Sequence, residues 1–417
     1  MKTFKLGGVH PPENKMSAQA AIETIALPKQ ITVPIGQHLG APATPLVKRG
    51  DEVKVGQLIA KASGFISANI HSPASGKVLK VDDVYDSSGY RKPSIIINVD
   101  GDEWEESIDR SSEIDADIKL SSKEIIDKVN EMGVVGLGGA TFPSFVKLMV
   151  PEGKKVEYLV INGVECEPYL TSDHRVMLER GEEMLIGVSI LMKGLHVKKA
   201  LVGIENNKKD AIDDLRKLAH KFNGIEIHPL KVQYPQGGEK QLIQALTGRE
   251  VPSGKLPLEV GCVVNNVGTA LAVYEAVQKN KPLFERVVTV TGKEVKKPSN
   301  FLARVGTPIN VLIEAAQGLP EGTGKIISGG PMMGKTVINT DVPVVKGTSG
   351  ILIMPQNESK RDEASNCIRC AKCIQVCPMG LEPVLLSKTS KLEMFEKVED
   401  ERVMDCIECG SCSYTCP

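Results

Sequence analysis

The sequence predicts a multidomain α/β chain, and three observations lead to this fold class. Short β-runs separated by turns fill residues 31–99, strands and helices alternate over residues 109–284, and eight cysteines crowd the C-terminal end. Alternating strands and helices are typical of layered domains built on a parallel sheet. We therefore predict four domains, with bounds at 1–108, 109–284, 285–356 and 357–417.

The composition excludes some classes of function. The chain has 51 Lys and Arg against 52 Asp and Glu, a net charge of −1, so its overall charge does not favour nucleic acid or an anionic membrane surface. No apolar run approaches the roughly 18 residues of a spanning helix, and we expect no direct membrane span. The start MKTFKLGGVH has no apolar signal segment, which indicates a reducing compartment. Because the sequence stops directly after a cysteine ligand, we expect a tail beyond Pro417.

The N-terminal part reads as an extended arm followed by a β domain. Residues 1–30 carry Pro and Gly with little periodicity, and Val47–Ala60 and Ile70–Val78 alternate short strands with turns. This pattern resembles the barrel-sandwich fold of lipoyl and biotinyl carrier domains. The matching hairpin carries Ile70-His71-Ser72 without a Lys at its tip, so we predict a structural use of the fold, with His71 as a turn or packing residue.

The central part predicts one domain with a largely parallel sheet. Ser121 and Glu124 form a capping-box signature for a helix through Met132, which Gly133 ends. Further helices are predicted over 182–195 (amphipathic), 207–222, 239–246 and 270–278, and strands over 156–161, 199–204, 225–230 and 262–265.

The next segment predicts a small mixed unit. Ile309–Gln317 reads as a helix and Lys325–Gly334 as a strand with a turn, which is similar to the β-grasp soluble-ligand-binding (SLBB) module. Gln356–Ser365 reads as a linker. Lys388–Val403, between the cysteine runs, is charged and predicted to be helical.

The eight cysteines occur in two identical spacings. Each run reads C-x-x-C-x-x-C-x-x-x-C-P, from Cys367 to Pro378 and from Cys406 to Pro417. In this two-cluster ferredoxin pattern, three thiolates of one run and the fourth of the other hold each [4Fe–4S] cluster. We assign one cluster to Cys367, Cys370, Cys373 and Cys416, and the other to Cys406, Cys409, Cys412 and Cys377.

Zinc and disulfides are the alternatives for these cysteines. Zinc sites usually combine two C-x-x-C pairs, which leaves the C-x-x-x-C-P endings unexplained. Disulfides do not suit a reducing compartment. Because such clusters move single electrons without bond chemistry, the rest of the chain should contain an electron donor or acceptor.

Four polar, glycine-bearing segments of the α/β domain are candidates for that role: Val134–Lys147, Asn162–Pro168, Tyr234–Lys240 and Val264–Thr269. Glycines let backbone N–H groups face a phosphate, and helix N-termini attract anions. Ligands of open α/β sheets bind beyond the carboxyl ends of strands, where two of these segments begin. Taken singly, each segment could equally be a packing turn or a solvated loop.

In this order, the four segments resemble the flavin- and NADH-binding subunit of respiratory complex I over about residues 120–280. With the HPPENK arm, the barrel-sandwich, β-grasp and twin-cluster parts, the whole chain is similar to the RnfC family, whose members are components of Rnf complexes. These are bacterial membrane ferredoxin:NAD⁺ oxidoreductases that pump Na⁺ or H⁺. The resemblance implies a barrel-sandwich hybrid domain, a Rossmann-like flavin domain, a β-grasp SLBB domain and a bacterial 2[4Fe–4S] ferredoxin-like domain.

The resemblance also implies site residues. The matches to the flavin phosphate and ribityl cradle are Gly136, Gly138, Gly139, Ala140 and Lys147. The matches around FMN and nucleotide are Asn162, Glu165 and Glu167, followed by the turn of Tyr234, Gly237, Gly238 and Glu239 and the last flavin loop of Asn265, Asn266 and Thr269. Phe142 matches an aromatic beside the nicotinamide, which Glu239 could orient.

The chain departs from the complex I pattern at five positions: Leu137 for Arg, Val164 for Asp, Cys166 for Gly, Gly238 for Glu and Gly268 for Glu. These changes alter the charge around the nucleotide, so the resemblance carries FMN further than it carries the NADH contacts. Outside the clusters, Cys262 reads as a buried apolar residue and Cys166 as a candidate functional thiol.

The implied function is hydride exchange between NAD(H) and FMN, followed by single-electron transfer through two [4Fe–4S] clusters. The implied partners are the membrane subunits of the Rnf complex and its iron–sulfur subunit, RnfB, with ferredoxin reached indirectly and no nucleic acid. The implied location is peripheral, on the cytoplasmic face of the cell membrane. Two alternatives stay open: a cobalamin reductase of the same superfamily, and a flavin-free iron–sulfur connector that docks a soluble carrier.

Overall fold

The structure, a computed structural model, describes residues 1–361, 363 and 365–417. The N-terminal arm contains one strand, β1 (Ile22–Thr24). This strand does not join the β domain that follows it, but pairs in parallel with Asn300–Leu302, far along the chain.

The β domain that follows has two antiparallel sheets, ordered β2-β8-β7-β4 and β3-β5-β6. Alternate residues of the first sheet point inward, and Ile31, Val33, Ile95 and Ile97 are fully buried. The predicted hairpin tip Ile70–His71 is a buried strand, and the packing role expected of His71 is confirmed. The strands are β2 (Gln30–Pro34), β3 (Thr44–Pro45), β4 (Glu52–Val53), β5 (Leu58–Lys61), β6 (Ile70–His71), β7 (Gly76–Tyr85) and β8 (Arg91–Val99).

The α/β domain has a parallel four-stranded sheet ordered β11-β10-β9-β12, as predicted. The capping box at Ser121 is present. The elements are α1 (Ser122–Glu131), α2 (Ser144–Leu148), β9 (Tyr158–Asn162), α3 (Ser172–Glu179), α4 (Gly181–Leu195), β10 (Ala200–Glu205), α5 (Lys209–Ala219), β11 (Ile225–Leu230), α6 (Glu239–Thr247), a 3₁₀ turn (Pro257–Val260), β12 (Cys262–Asn266) and α7 (Val267–Gln278). The sequence prediction missed α2 and α3.

Helix α4 is the centre of this domain, and its predicted amphipathic character was wrong. Most of its residues are buried, because α1, α3, α5 and α7 surround it. It crosses α7 closely, since a Cβ atom on Gly187 would lie 1.8 Å from the carbonyl oxygen of Ala270.

The β-grasp part forms a six-stranded mixed sheet ordered β1-β14-β13-β17-β15-β16, so the N-terminal arm supplies its edge strand. Its elements are β13 (Glu285–Thr291), β14 (Ser299–Arg304), α8 (Ile309–Ala315), β15 (Thr323–Ser328), β16 (Lys335–Thr336) and β17 (Gly350–Pro355). Lys281 ties it to the α/β domain, because Nζ bonds Glu275 at 2.9 Å and Glu285 at 2.7 Å.

The cysteine-rich part consists of short helices. The stretch predicted as helical between the cysteine runs is broken at Glu393, whose φ is +55°. The elements are α9 (Gln356–Ser359), α10 (Lys372–Gln375), α11 (Pro383–Lys391), α12 (Phe395–Asp400), a 3₁₀ turn (Val403–Asp405) and α13 (Ser411–Thr415). The predicted linker Gln356–Ser365 includes Asp362 and Ala364, which lie outside the described residues. In the described part of the chain, no helix has both the length and the apolar character needed to cross a membrane.

Candidate functional site

The sheet order creates a crevice at one place in the α/β domain. Strand β9 pairs with β10 on one side and with β12 on the other, so the winding direction reverses between β9 and β12. Ligands of open α/β sheets bind outside the carboxyl ends of strands at such a switch point. Asn162 and Asn266, the last residues of β9 and β12, lie side by side in the register. Two of the four predicted segments therefore meet here.

The glycine loop between α1 and α2, residues 136–142, closes over this crevice. Its base is fixed by Gly136, whose N–H donates to the Phe142 carbonyl at 2.9 Å. The Leu137 N–H donates to Oγ1 of Thr269 at 2.9 Å, at the start of α7. At the loop tip, Gly139 has no atom within 4 Å of the position of a Cβ atom. The exposed backbone of the tip therefore faces open space.

The third segment closes the crevice from the side of α6. Asn162 Nδ2 donates to the Gly237 carbonyl at 2.8 Å, which sets the turn that opens α6 at Glu239. Lys147 of α2 reaches the same place, because its Nζ lies 3.1 Å from Oε1 of Glu239 and 2.9 Å from the Val264 carbonyl. The structure thus brings residues of all four predicted segments to one crevice.

Asn266 organises the floor of the crevice. Its Oδ1 accepts from the N–H groups of Gly268 and Thr269, which caps α7. Its Nδ2 donates to Oδ2 of Asp173 at 2.6 Å. Burial and the neighbouring Glu165 carboxylate raise the pKa of Asp173. The floor therefore combines a helix N-terminus with a carboxyl group that holds its proton more tightly than usual.

Asn265 supplies the observation that tests whether FMN fits. Its side chain is 5% exposed, and its Nδ2 has no hydrogen-bond partner among the described residues. A buried amide donor without an acceptor is costly. The oxygen and nitrogen edge of a flavin ring is an acceptor of the required kind. The residues present at this crevice fit FMN.

Two predicted residues, Glu165 and Glu167, direct their carboxylates elsewhere. Glu165 bonds the N–H groups of Asp173 and His174 at 2.7 and 3.1 Å, so it caps α3. Glu167 accepts from the N–H of Met333 at 2.7 Å, in the turn after β15, and burial raises its pKa to about 7. In this structure both acids hold the loop in place, and their contact with a cofactor stays a prediction.

Tyr234 faces the cysteine-rich part of the chain. Its hydroxyl donates to the Cys409 carbonyl at 2.8 Å, and its ring is buried with Val9 and Cys409. Backbone bonds join Val9 to Tyr234 in both directions, and the N–H of Gly8 donates to the carbonyl of Val376. The arm therefore clamps the α/β domain against both cysteine runs.

The two cysteine runs adopt the same local conformation. Arg369 and Glu408, at equivalent positions, both have left-handed backbones, and each N–H donates to the sulfur of the run's first cysteine at 3.4 Å. All ten cysteines of the chain are free. The residue before Cys377, Val376, packs with Ile407 and Cys409 of the other run. Two thiolate loops with N–H···S bonds and a crossing fourth cysteine fit two [4Fe–4S] clusters.

Comparison with known proteins agrees with these sites. Four families match along the chain, described as "RnfC Barrel sandwich hybrid domain" (residues 2–102), "Nuo51 FMN-binding domain" (129–275), "SLBB domain" (287–336) and "4Fe-4S dicluster domain" (359–417). The RnfC protein of Clostridium ljungdahlii, named as part of a "Proton-translocating ferredoxin:NAD(+) oxidoreductase complex", is 48% identical over 96% of this chain and 87% of its own length. The chain belongs to the RnfC family.

Other members of the RnfC family are nearly as similar. The member from Acetobacterium woodii, named as part of a "Na(+)-translocating ferredoxin:NAD(+) oxidoreductase complex", is 45% identical over 97% of this chain and 90% of its own length. The member from Rhodobacter capsulatus, named as part of an "Ion-translocating oxidoreductase complex", is 43% identical over 93% of this chain and 75% of its own length. The fold class and cofactors predicted from the sequence are confirmed.

The sequence reasoning missed Lys15 of the arm. In this RnfC chain, Lys15 Nζ donates to the carbonyls of Glu165, Glu167 and Leu170 at 2.7–2.9 Å. Burial lowers the pKa of Lys15 to about 8. It therefore fixes the loop that follows β9. A single Lys in an aperiodic stretch gave no signal of this contact.

The two remaining cysteines differ in their surroundings. Cys262 is fully buried in apolar core, as predicted. Cys166 accepts from the Gly237 N–H at 3.4 Å and faces a cavity of about 250 Å³ under the arm. Burial raises the pKa of its thiol to about 12. Cys166 is therefore a protonated thiol, and a functional role for it stays a prediction.

Proposed function

We propose that this chain is the NAD(H)-handling subunit of a membrane-bound complex that couples ferredoxin:NAD⁺ electron transfer to Na⁺ or H⁺ translocation. The observation that carries the proposal is the crevice between β9 and β12, joined through Tyr234 to the cysteine loop of Cys409. FMN bound there supplies hydride exchange with NAD(H), and the two [4Fe–4S] clusters supply single-electron transfer.

The residues of the crevice divide the work of holding FMN. The N–H groups of the glycine loop and the ammonium group of Lys147 suit a phosphate. The unpaired amide of Asn265 suits the ring edge, and the turn from Gly237 to Glu239 borders the same space. The half-buried Phe142 closes the loop beside them and is our candidate for contact with the nicotinamide.

The two cysteine sets differ in their distance from this domain. The loop of Cys406, Cys409 and Cys412 is bonded to Tyr234, and Cys409 is buried. In the first run, Cys367 and Cys370 are exposed, and Ile368 between them is 72% exposed. We infer that the set with Cys409 is the one next to the flavin and that the set with Cys370 faces a partner protein.

The exposed first cysteine loop also supports a place in a larger assembly. We propose that it docks on RnfB, the iron–sulfur subunit, and on the membrane subunits of an Rnf complex, which connect it to ferredoxin. The chain would then lie at the cytoplasmic face of the membrane. Pull-down of membranes with the Ile368→Glu variant tests this, and binding equal to that of the wild-type chain would contradict it.

Serine variants of the ligands test the function. In Cys409→Ser, NADH should still bleach the flavin, but the remaining cluster should stay oxidised in anaerobic single-turnover spectra. In Cys370→Ser, NADH should reduce the remaining cluster. Cys262→Ser is the control for a buried thiol outside the clusters. A wild-type chain that binds no FMN would contradict the function and leave the flavin-free connector.

A further inference from the structure

One loop of the barrel-sandwich domain is fixed to the frame that carries the glycine loop. This segment, residues 62–69, is called the Phe65 loop below. Asn69 Nδ2 donates to the Glu131 carbonyl at 3.0 Å, at the end of α1. Lys346 Nζ, buried at the junction, donates to the carbonyls of Asn69 and Gly133 at 2.9 and 2.7 Å. The Phe65 loop and the start of the glycine loop therefore share one set of polar contacts.

A second set of contacts brings the same domain to the tip of the glycine loop. The Leu39 N–H donates to the Thr141 carbonyl at 3.3 Å, and the Ala41 N–H donates to the Ile66 carbonyl at 2.9 Å. The ring of Phe65 meets that of Phe145 in α2 edge to face, with centroids 6.3 Å apart. The barrel-sandwich domain thus forms a wall beside the tip.

The outer surface of this wall is apolar and open to water. Phe65 is 63% exposed, Leu39 is 51% exposed and Ile66 is 38% exposed. A loop anchored by buried polar contacts has little freedom to turn its aromatic residue inward. Adjoining exposed apolar side chains beside a binding crevice are typical of a ligand-contacting surface.

We propose that Phe65 is a substrate-binding residue that stacks on the adenine of NAD(H). This proposal rests on the proposed function. The nicotinamide must enter the crevice to reach the flavin, so the adenosine half of the dinucleotide projects outward past the glycine loop. The Phe65 wall is the apolar aromatic surface at that rim. A flat base fits against an exposed phenyl ring, and such aromatic contacts contribute beyond the area that they bury.

Kinetics with a truncated substrate test the proposal. The full-length Phe65→Ala protein is loaded with FMN, and NADH oxidation is followed with ferricyanide as acceptor. We expect KM for NADH to rise roughly 3- to 10-fold, in line with the strength of aromatic contacts, with kcat unchanged. KM for reduced nicotinamide mononucleotide, which lacks the adenosine half, should not change. Phe65→Trp should keep the wild-type KM for NADH, and Tyr90→Ala, a 68% exposed aromatic of the same domain, should have no effect.

The outcomes separate the two levels of the proposal. If the wild-type chain oxidises NADH and Phe65→Ala changes neither KM, or raises both KM values equally, the adenine contact is wrong while the function stands. If the wild-type chain binds FMN but does not oxidise NADH, the function itself is wrong. A raised KM for NADH alone, with FMN content and melting temperature unchanged, supports the stacking role.

Discussion

Two neighbouring glycines allow the fold and the flavin site to be perturbed separately. A Cβ atom on Gly138 would lie 2.9 Å from Cβ and Nδ2 of Asn266, whereas one on Gly139 would meet nothing within 4 Å. Neither glycine has a left-handed backbone. Gly138→Ala therefore strikes the side chain at the crevice floor, and Gly139→Ala extends only into the open crevice.

The cost of Gly138→Ala follows from the bonds of Asn266. Displacing its side chain removes the cap of α7, worth about 0.5–2 kcal/mol, and the bond to Asp173, a hydrogen bond to a charged group worth about 1.5–3 kcal/mol. Replacing Gly lowers the entropy of the unfolded chain, which offsets about 0.4–1 kcal/mol. We expect the free energy of unfolding to fall by about 2–3 kcal/mol. Gly139→Ala should leave it unchanged or slightly raised.

FMN affinity should respond differently. Because a methyl group on Gly139 occupies space that the flavin needs, overpacking of about 1–3 kcal/mol predicts a Kd for FMN that is roughly 5- to 150-fold weaker. Urea unfolding of the FMN-free proteins and titration with FMN by fluorescence quenching measure the two effects. If Gly139→Ala binds FMN as tightly as the wild-type protein, the crevice between β9 and β12 is not the flavin site.

Three further predictions follow from single contacts. Tyr234→Phe removes the donor to the Cys409 carbonyl, so cluster reduction after flavin reduction should slow roughly 2- to 10-fold in stopped-flow spectra; an unchanged rate would argue against this contact. Lys15→Met leaves three carbonyls without their donor, at about 1–3 kcal/mol each, so the chain should lose FMN and melt earlier, unlike the exposed arm control Lys5→Met. Burial lowers the pKa of Lys346 to about 7, so the unfolded state binds more protons above pH 7 and stability due to this group rises with pH. The free energy of unfolding of the wild-type protein should therefore gain about 2 kcal/mol over Lys346→Met between pH 7 and 9, and parallel urea curves at the two pH values would contradict this.

The sequence predicted those features that depend on local pattern. The apolar run before Asn162 and the apolar run before Asn265 indicated buried parallel strands, and the capping box at Ser121 indicated the start of a helix. Because strand ends of a parallel sheet meet at one edge, the loops after these strands could be expected to share a site. The repeated cysteine spacing likewise contained its own geometry.

The features that the sequence did not predict depend on contacts between distant segments. Lys15 and Glu167 act through partners 150 or more residues away, and no local period marks them. The burial of α4 on nearly all sides follows from the helices around it and not from its own pattern. The direction of the Tyr234 side chain depends on where the cysteine loops dock, which a linear pattern does not contain.

Anaerobic titration of the full chain with NADH tests the central claim most directly. The account predicts about one FMN and about eight iron atoms per chain, with bleaching of the flavin absorbance by NADH followed by loss of the broad iron–sulfur absorbance and appearance of a reduced-cluster signal in electron paramagnetic resonance. A chain that carries the iron but no flavin, or a flavin that NADH does not bleach, would contradict it.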